Sequence, residues 1–525
     1  MSPTLLTSSH SDVMSILKRI QYLPVVFLAA SSIPFSTFLL FVNYLYIFLI
    51  PENTFHHHLK KMPGFRSKTI LLSGINTPHG LRLARAFYET GHNVVGADYE
   101  PGGVPIHVRF SRALTRFHRL PYQCEERRVV AYITALLRII EQEHADLWIN
   151  CTSSTDPNVE AQARNIIEQT TNCHCFALRL NDAPSFATRH AFLSHTKSLG
   201  LPVPEAYDVR SRDEIHNVLN TAHGNRKYML HSPEHVGVST NRVRTVLPRR
   251  TLSQTYNTVS QIAIAKAHPL RLEQDTDGLE RFSTFAVIVR GEVTAFVASS
   301  SSHASCYRAL DPNSALNRFM LHFVQTFARR QGTGFNTHLG IEFCIEERVI
   351  ETGVVKSILP ADVSVQAQAA ALLFRGVSGS TQLARAYLAC LLPELEDDDK
   401  QSRSAFWVQN HRVDGDAAMP SSNSSGIYCF GQDLLQLCLA PLINVITVRS
   451  SLIDCLGNLV LFIKHLLLWQ DDTYSPRDPI PFWWSYQIYI PLRLIMTAIL
   501  VGDNGDRTLL TDRPQQYEKS RQEAG

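Results

Sequence analysis

This 525-residue sequence predicts an α/β fold built on a parallel sheet and preceded by one apolar helix. Three features predict it. Short β-branched apolar runs alternate with stretches whose apolar residues recur at helical spacing, as an open parallel sheet requires. A charge-free run of about 27 residues, Pro24–Ile50, stands near the N-terminus, whereas about 20 suffice to cross a bilayer as a helix. Finally, 45% hydrophobic and 18% charged residues, with 25 Gly and 26 Pro, exclude collagen-like, coiled-coil and wholly disordered chains.

The length allows roughly two to four domains. Fifty Lys and Arg against 47 Asp and Glu leave a formal charge of +3, too even to argue for nucleic acid as a partner. A mean hydropathy of -0.07 is high for a purely soluble enzyme, so apolar mass is concentrated somewhere. After an N-terminal tail (1–23), the segment 24–50 is read as a transmembrane anchor, with Pro34 as a kink and Tyr44 and Tyr46 as interface anchors. A secretory signal is the rival reading, but its apolar stretch is typically about 7 to 15 residues and ends at a small-residue cleavage site that is not found here. Lys18 and Arg19 precede the run, while Lys60, Lys61, Arg66 and Lys68 follow it, which places the body of the protein in the cytosol. Residues 51–66 form a basic linker suited to an anionic headgroup surface.

The ten cysteines are scattered with no C-x-x-C pair, which agrees with a reducing compartment. Cys173-His174-Cys175 resembles a metal nucleus, yet strand neighbours point to opposite faces and no second cluster completes a ligand set, so these are core or surface residues.

From Lys68 the α/β pattern begins. KTILLSG (68–74) is a strand, Gly80 opens an amphipathic helix, HNVVGAD (92–98) is a second strand, ADLWINCTSS (145–154) holds another, and a helix runs around Val159–Thr170. The loop INTPHG leads into a helix N-terminus whose free N–H groups could cradle an anion. Only Gly74 and Gly80 represent the dinucleotide fingerprint, Asp98 is common to any Rossmann-like unit, and no tyrosine has lysine four positions on, so a nicotinamide-dependent dehydrogenase is a poor reading.

ATRHAFLSHTKSLGLPVPEAYDVRSRDEI (187–215) reads as helix, turn, strand and a second helix after Ser211. This segment resembles the entry to an ATP-grasp domain, where Gly-Leu-Pro-Val-Pro follows the first helix. Together with the 68–101 phrase, RFSRAL (109–114), FAVIVRGEVTAFV (285–297), TGFNTHLGIEF (333–343), ALLFRG (371–376) and DPIPFWWSYQIYIPL (478–492), the chain resembles the fungal ATP-grasp enzymes of secondary-metabolite clusters, including those of isoquinoline alkaloid pathways. The resemblance covers nearly the whole chain. It implies a Rossmann-like pre-ATP-grasp domain (67–180), an ATP-grasp domain of two α+β lobes (181–393), a linker (394–426) and a family-specific helical C-terminal region (427–525).

The resemblance also implies the chemistry: a carboxylate is phosphorylated by ATP and an amine attacks the acyl phosphate, with nucleotide between the lobes and ATP and Mg2+ as cofactors. Such a site needs cations around the triphosphate and oxygen ligands for magnesium. Carried over position by position, Arg189 takes the place of the first phosphate-contacting lysine. His231 stands where relatives carry the second lysine, with Lys227 or Arg226 near enough to substitute; its other reading is a half-buried strand histidine. Gln274-Asp275-Thr276-Asp277 replaces the adenine-reading hinge, which leaves its backbone groups to read the base. Glu342 supplies one metal carboxylate, and aligning on ALLFRG makes Asp362 the second, Ser364 the stand-in for an asparagine and Gln366 for an arginine; an alternative register uses Glu351 and Gly353 instead.

Other features take structural readings. Arg242 and Arg244 are at least as well read as a solvated charge run, His338 is structural, and ELEDDDK (394–400) with Ser421–Ser425 marks an exposed linker. Leu456–Ile463 is strongly apolar but bounded by Asp454 and Lys464, too short to span a bilayer, and is read as a buried helix rather than a membrane contact. The function expected is an ATP-dependent carboxylate–amine ligase acting on an amino acid or related acid. The alternative is a degenerate ATP-grasp protein serving as a membrane-tethered scaffold or a weak nucleotide binder.

Overall fold

Strand runs rich in Ile, Leu and Val and helix starts marked by Thr or Asp caps determine the architecture of the computed structural model. It describes residues 23–49, 65–121, 126–152, 156–221, 226–231, 245–262, 264, 269–303, 306–350, 353–365, 369–391, 417–420, 426–447 and 450–500. The chain forms two compact units, one of residues 1–187, 284–340 and 364–525, the other of residues 188–283 and 341–363. The linker 51–64, Arg242, Arg244, Glu351, Gln366 and the 394–400 and 421–425 stretches lie outside the described residues.

The first unit opens with α1 (Leu23–Leu49), which contains Pro34 and is long and apolar enough over Ala29–Leu49 to cross a membrane. Then follow β1 (Thr69–Ser73), α2 (Pro78–Glu89), β2 (Asn93–Asp98), β3 (Arg116–Arg119), α3 (Glu126–Glu143), β4 (Leu147–Asn150), α4 (Pro157–Thr170) and β5 (His174–Phe176). All pairings are parallel and the order is β3-β2-β1-β4-β5, the arrangement of a Rossmann-like half. Alternation along β1 explains its two-sided burial. Ile70 and Leu72 pack with Leu81, Ala84 and Phe87 of α2, whereas Leu71 faces Tyr132, Leu136 and Ile140 of α3 and Trp148 of β4.

The β1–α2 turn is where the loop expectation meets the structure. Gly74 adopts φ +66, and a Cβ there would lie 2.4 Å from the Thr152 backbone, so this close approach requires glycine. Thr77 caps α2 by accepting from the Gly80 N–H, and the Asn76 N–H donates to Asp98 at 2.6 Å. The anion held by this turn is therefore the chain's own Asp98 carboxylate. Cys173 and Cys175 are buried beside α4 and His174 is exposed, and among the described residues no group of three or more His, Cys, Asp or Glu side chains could hold a metal ion.

The second unit begins with α5 (Arg189–Ser198), β6 (Ala206–Val209), α6 (Arg212–Thr221), β7 (Tyr228–His231), β8 (Thr245–Leu247), α7 (Leu252–Gln261) and β9 (Leu270–Gln274). Its antiparallel sheet, ordered β6-β9-β7-β8, buries Leu230, Leu247 and Leu272 with Ile215 of α6 and Val259 of α7.

The chain continues through β10 (Glu280–Val289), β11 (Glu292–His303), β12 (Cys306–Ala309), α8 (Ala315–Gln331), β13 (Thr337–Ile350), β14 (Gly353–Ser364) and α9 (Gly376–Leu388). With β15 (Ile427–Tyr428), the apolar helices α10 (Phe430–Ile446) and α11 (Leu452–Leu468), β16 (Gln470–Asp471) and the helical run α12 (480–500), the sheet order is β14-β13-β10-β11-β12-β15-β16. The fold is thus α/β with a Rossmann-like sheet, α+β lobes, an apolar N-terminal helix and a helical C-terminal region, as expected. One expectation fails: α11 is not buried. Leu456, Val460 and Ile463 are exposed, because the helix packs through a narrow stripe around Phe462 and His465.

Two buried polar contacts hold the first unit together. Arg85 of α2 donates from Nε to Asp478 Oδ2 at 3.0 Å, from Nη1 to Thr473 O at 2.8 Å and from Nη2 to Asp478 O at 2.9 Å; Ser111 and the Arg112 N–H also donate to that carboxylate. His338, buried among Phe176, Phe285 and Tyr387, lies 3.0 Å from the Tyr387 hydroxyl, the structural role expected of it.

Arg85→Ala strands a buried carboxylate and should destabilise the protein by about 3–5 kcal/mol in denaturant unfolding. Burial, with a smaller contribution from His79, lowers the His338 pKa to about 3. As pH falls from about 6.5, the unfolded chain takes up this proton and the folded chain does not, so stability declines by up to about 1.4 kcal/mol per pH unit until the folded pKa is reached. His338→Gln should flatten that acid limb.

Candidate functional site

The second unit gathers charge around one sheet. At the first residue of α5, Arg189 donates from Nε to Ala361 O at 2.6 Å and from Nη1 to Glu273 Oε2 at 2.6 Å. Its position follows from the Thr188 cap, which accepts from the Ala191 N–H and fixes where the helix starts. A cation at a helix N-terminus opposes the helix dipole, and the Glu273 carboxylate offsets that cost. The guanidinium remains 35% exposed, whereas Glu273 is nearly buried.

Gln274, at the end of β9, is a buried clamp. Its side chain donates to Glu346 Oε1 at 3.0 Å and accepts from the Glu205 N–H at 3.2 Å, while its own N–H donates to Glu205 O at 2.8 Å. Asp275 donates its N–H to Lys227 O at 2.8 Å and accepts from the Asp277 N–H at 2.9 Å, which closes the turn after β9. The Lys227 side chain is exposed. The His231 backbone ends β7 opposite Arg271; its side chain lies outside the described residues.

Arg226 is not a loose reserve cation. It binds Glu346 from Nε at 2.7 Å and from Nη2 at 3.0 Å, and its Nη1 donates to Glu205. Tyr228 donates to the other Glu205 oxygen at 2.7 Å. Burial works against the Glu205 charge, but the Tyr228 hydroxyl and the Arg226 guanidinium together hold its carboxyl below the ordinary value. Burial and the same carboxylate raise the Tyr228 pKa.

The metal candidates sit on neighbouring strands. Glu342 of β13 is half-buried and 3.8 Å from Arg281, which also binds Asp277 at 2.9 Å. Asp362 of β14 accepts from the Val363 N–H at 2.8 Å, and Ser364 is the last residue of that strand. Sequence reading missed Glu205, Glu273, Arg281 and Glu346. One signal was available: Glu273 and Gln274 end LRLEQ on a strand whose Leu272 is core, so polar groups there need buried partners.

No protein-family model matches the chain, and no curated protein matches it. Among solved structures, the L-amino acid ligase from Bacillus licheniformis is similar at a TM-score of 0.36 and 13% identity, over 57% of this chain and 68% of that one. The biotin carboxylase subunit of a pyruvate carboxylase gives 0.44 and 12%, over 61% and 70%. N5-carboxyaminoimidazole ribonucleotide synthetase from Thermus thermophilus gives 0.40 and 16%, over 62% and 79%.

Proposed function

We propose that this chain is an ATP-dependent carboxylate–amine ligase of the ATP-grasp type, attached to a membrane through α1 with its body in the cytosol. The observation that carries the reading is the Arg189–Glu273 pair at the N-terminus of α5. A half-exposed guanidinium and a helix N-terminus both favour an anion, and the group now meeting the cation is a carboxylate on β9. An incoming phosphate would compete for that guanidinium. The succession of a Rossmann-like parallel sheet, a small antiparallel sheet and a larger sheet also agrees with the layout that the sequence resemblance implies.

The carboxylates suit magnesium. Mg2+ is usually held by one or two carboxylates together with phosphate oxygens and water, and Glu342 and Asp362 stand partly exposed on adjacent strands. When bound, the ion would neutralise charge developing on the transferred phosphoryl group. Arg189 would orient the phosphates, whereas the N–H groups of Gln274, Asp275 and Asp277 are already bonded within the chain, so the turn would border the base without lending it those donors. The substrates proposed are an amino acid or related carboxylic acid and an amine, in secondary-metabolite biosynthesis of the alkaloid type.

A second reading is a nucleotide-free scaffold. It is favoured by the pairing of the cations: Arg189 with Glu273, Arg226 with Glu205 and Glu346, and Arg281 with Asp277 and Glu342. Melting of the full chain in detergent separates the two. Mg-ATP at about 100 times its Kd should add about 2.7 kcal/mol of stability. Arg189→Ala should weaken nucleotide binding about tenfold to a hundredfold, the worth of a charge-assisted hydrogen bond. A melting temperature unmoved by millimolar Mg-ATP favours the scaffold.

A further inference from the structure

The C-terminal helices are built inside out. In the α10–α11 hairpin the buried polar pair is Asp433 with His465, 2.6 Å apart, one residue from each helix. Outward stand ten exposed Leu, Ile and Val side chains of α11 alone, among them Ile453 (79%), Val460 (65%) and Leu467 (75%). From α10, Leu442, Ile443 and Ile446 join them. A hairpin meant for water places such residues the other way round.

The N-terminal helix follows the same plan. Ser32, Ser36 and Asn43 form the stripe of α1 that meets the chain: Ser32 exchanges hydrogen bonds with Gln487, Trp483 donates to Ser36 at 3.2 Å, and Asn43 donates to Pro476 O at 2.9 Å. Phe35, Phe41 and Phe48 point away from it. Small and polar residues inward with large apolar residues outward is how helices pack inside a bilayer.

Aromatic rings connect the two elements. Phe430 of α10 packs on Phe462 of α11 and on Phe482 and Tyr486 of α12, and α12 carries the Trp483 and Gln487 that hold α1. Beside the Asn43 contact, Arg112 and Arg477 are exposed and linked through the Arg477 carbonyl, two cations suited to anionic headgroups.

We infer that the α10–α11 hairpin is a second membrane-embedded element, entering the same bilayer as α1. Each hairpin helix is 17 residues long, below the roughly 20 needed to cross, so the hairpin enters one leaflet rather than spanning. This rests on the reading of α1 as a membrane anchor, and four full-length proteins separate the two claims. They are floated with vesicles of phosphatidylcholine containing a minority of phosphatidylserine, in high salt. One carries Phe35→Glu, Phe41→Glu and Phe48→Glu in α1, a second carries Ile453→Glu, Val460→Glu and Leu467→Glu in α11, a third carries all six, and the wild type completes the set. Every substituted side chain is exposed, so circular dichroism and melting temperature should hold.

The inference expects the α1 variant to float with the vesicles and the sixfold variant to remain in the aqueous fraction. If the α1 variant already stays behind, the hairpin is not a membrane element. A dimer of that variant by sedimentation would assign its face to a second copy instead and equally overturn the inference. Failure of the α11 variant to float while the α1 variant does so would leave the hairpin inference standing and remove the anchor reading.

Discussion

The buried ion pair between Arg85 and Asp478 is the contact on which the first unit depends. Burying either charge alone is costly, and each is tolerated because the geometry is nearly complete: three donors of Arg85 are used, and Asp478 accepts from Arg85, Ser111 and the Arg112 N–H. Asp478 begins the DPIPFWW phrase, so one interaction fixes the start of α12 against α2. Everything resting on α12 follows, including the aromatic contacts of Phe482 and Tyr486 with Phe430 and the stripe of α1 along Trp483 and Gln487. An exposed apolar surface and a Rossmann-like sheet thereby share one unit.

In the second unit the governing constraint is charge balance. Glu205, Glu346 and Arg226 form one network, to which Gln274 and Tyr228 add further donors, so this group stiffens the end of the sheet and has little capacity left for a ligand. Arg189 differs. It has one carboxylate partner and keeps part of its guanidinium in contact with solvent, which makes it the better phosphate candidate. The same comparison ranks the carboxylates: Glu346 is buried and doubly bonded to Arg226, whereas Glu342 and Asp362 are partly exposed.

Much of the fold was legible because its signals are local. KTILLSG, HNVVGAD and LWIN are short apolar runs that must be strands, and Thr77, Asp156 and Thr188 announce helix starts by their side-chain chemistry. The Arg226 network was not legible, since its partners at 205 and 346 lie 21 and 120 residues away and nothing nearby encodes the pairing. Helix α11 was misread for a different reason. An apolar run bounded by Asp454 and Lys464 looks the same in sequence whether its outer face is covered by the chain or left exposed, and the pairing of His465 with Asp433 from a distant segment, which turns the polar side inward, is not encoded nearby.

The central claim is that this site activates a carboxylate by phosphorylation, and trapping of the acyl phosphate tests it most directly. Full-length protein is incubated with Mg-ATP, a panel of amino acids and related acids, and hydroxylamine. The account predicts an amino-acid-dependent hydroxamate formed in step with ADP and lost in Glu342→Gln, a change at a half-exposed carboxylate that should leave the fold intact. ADP without hydroxamate, or neither product across the panel, would contradict it.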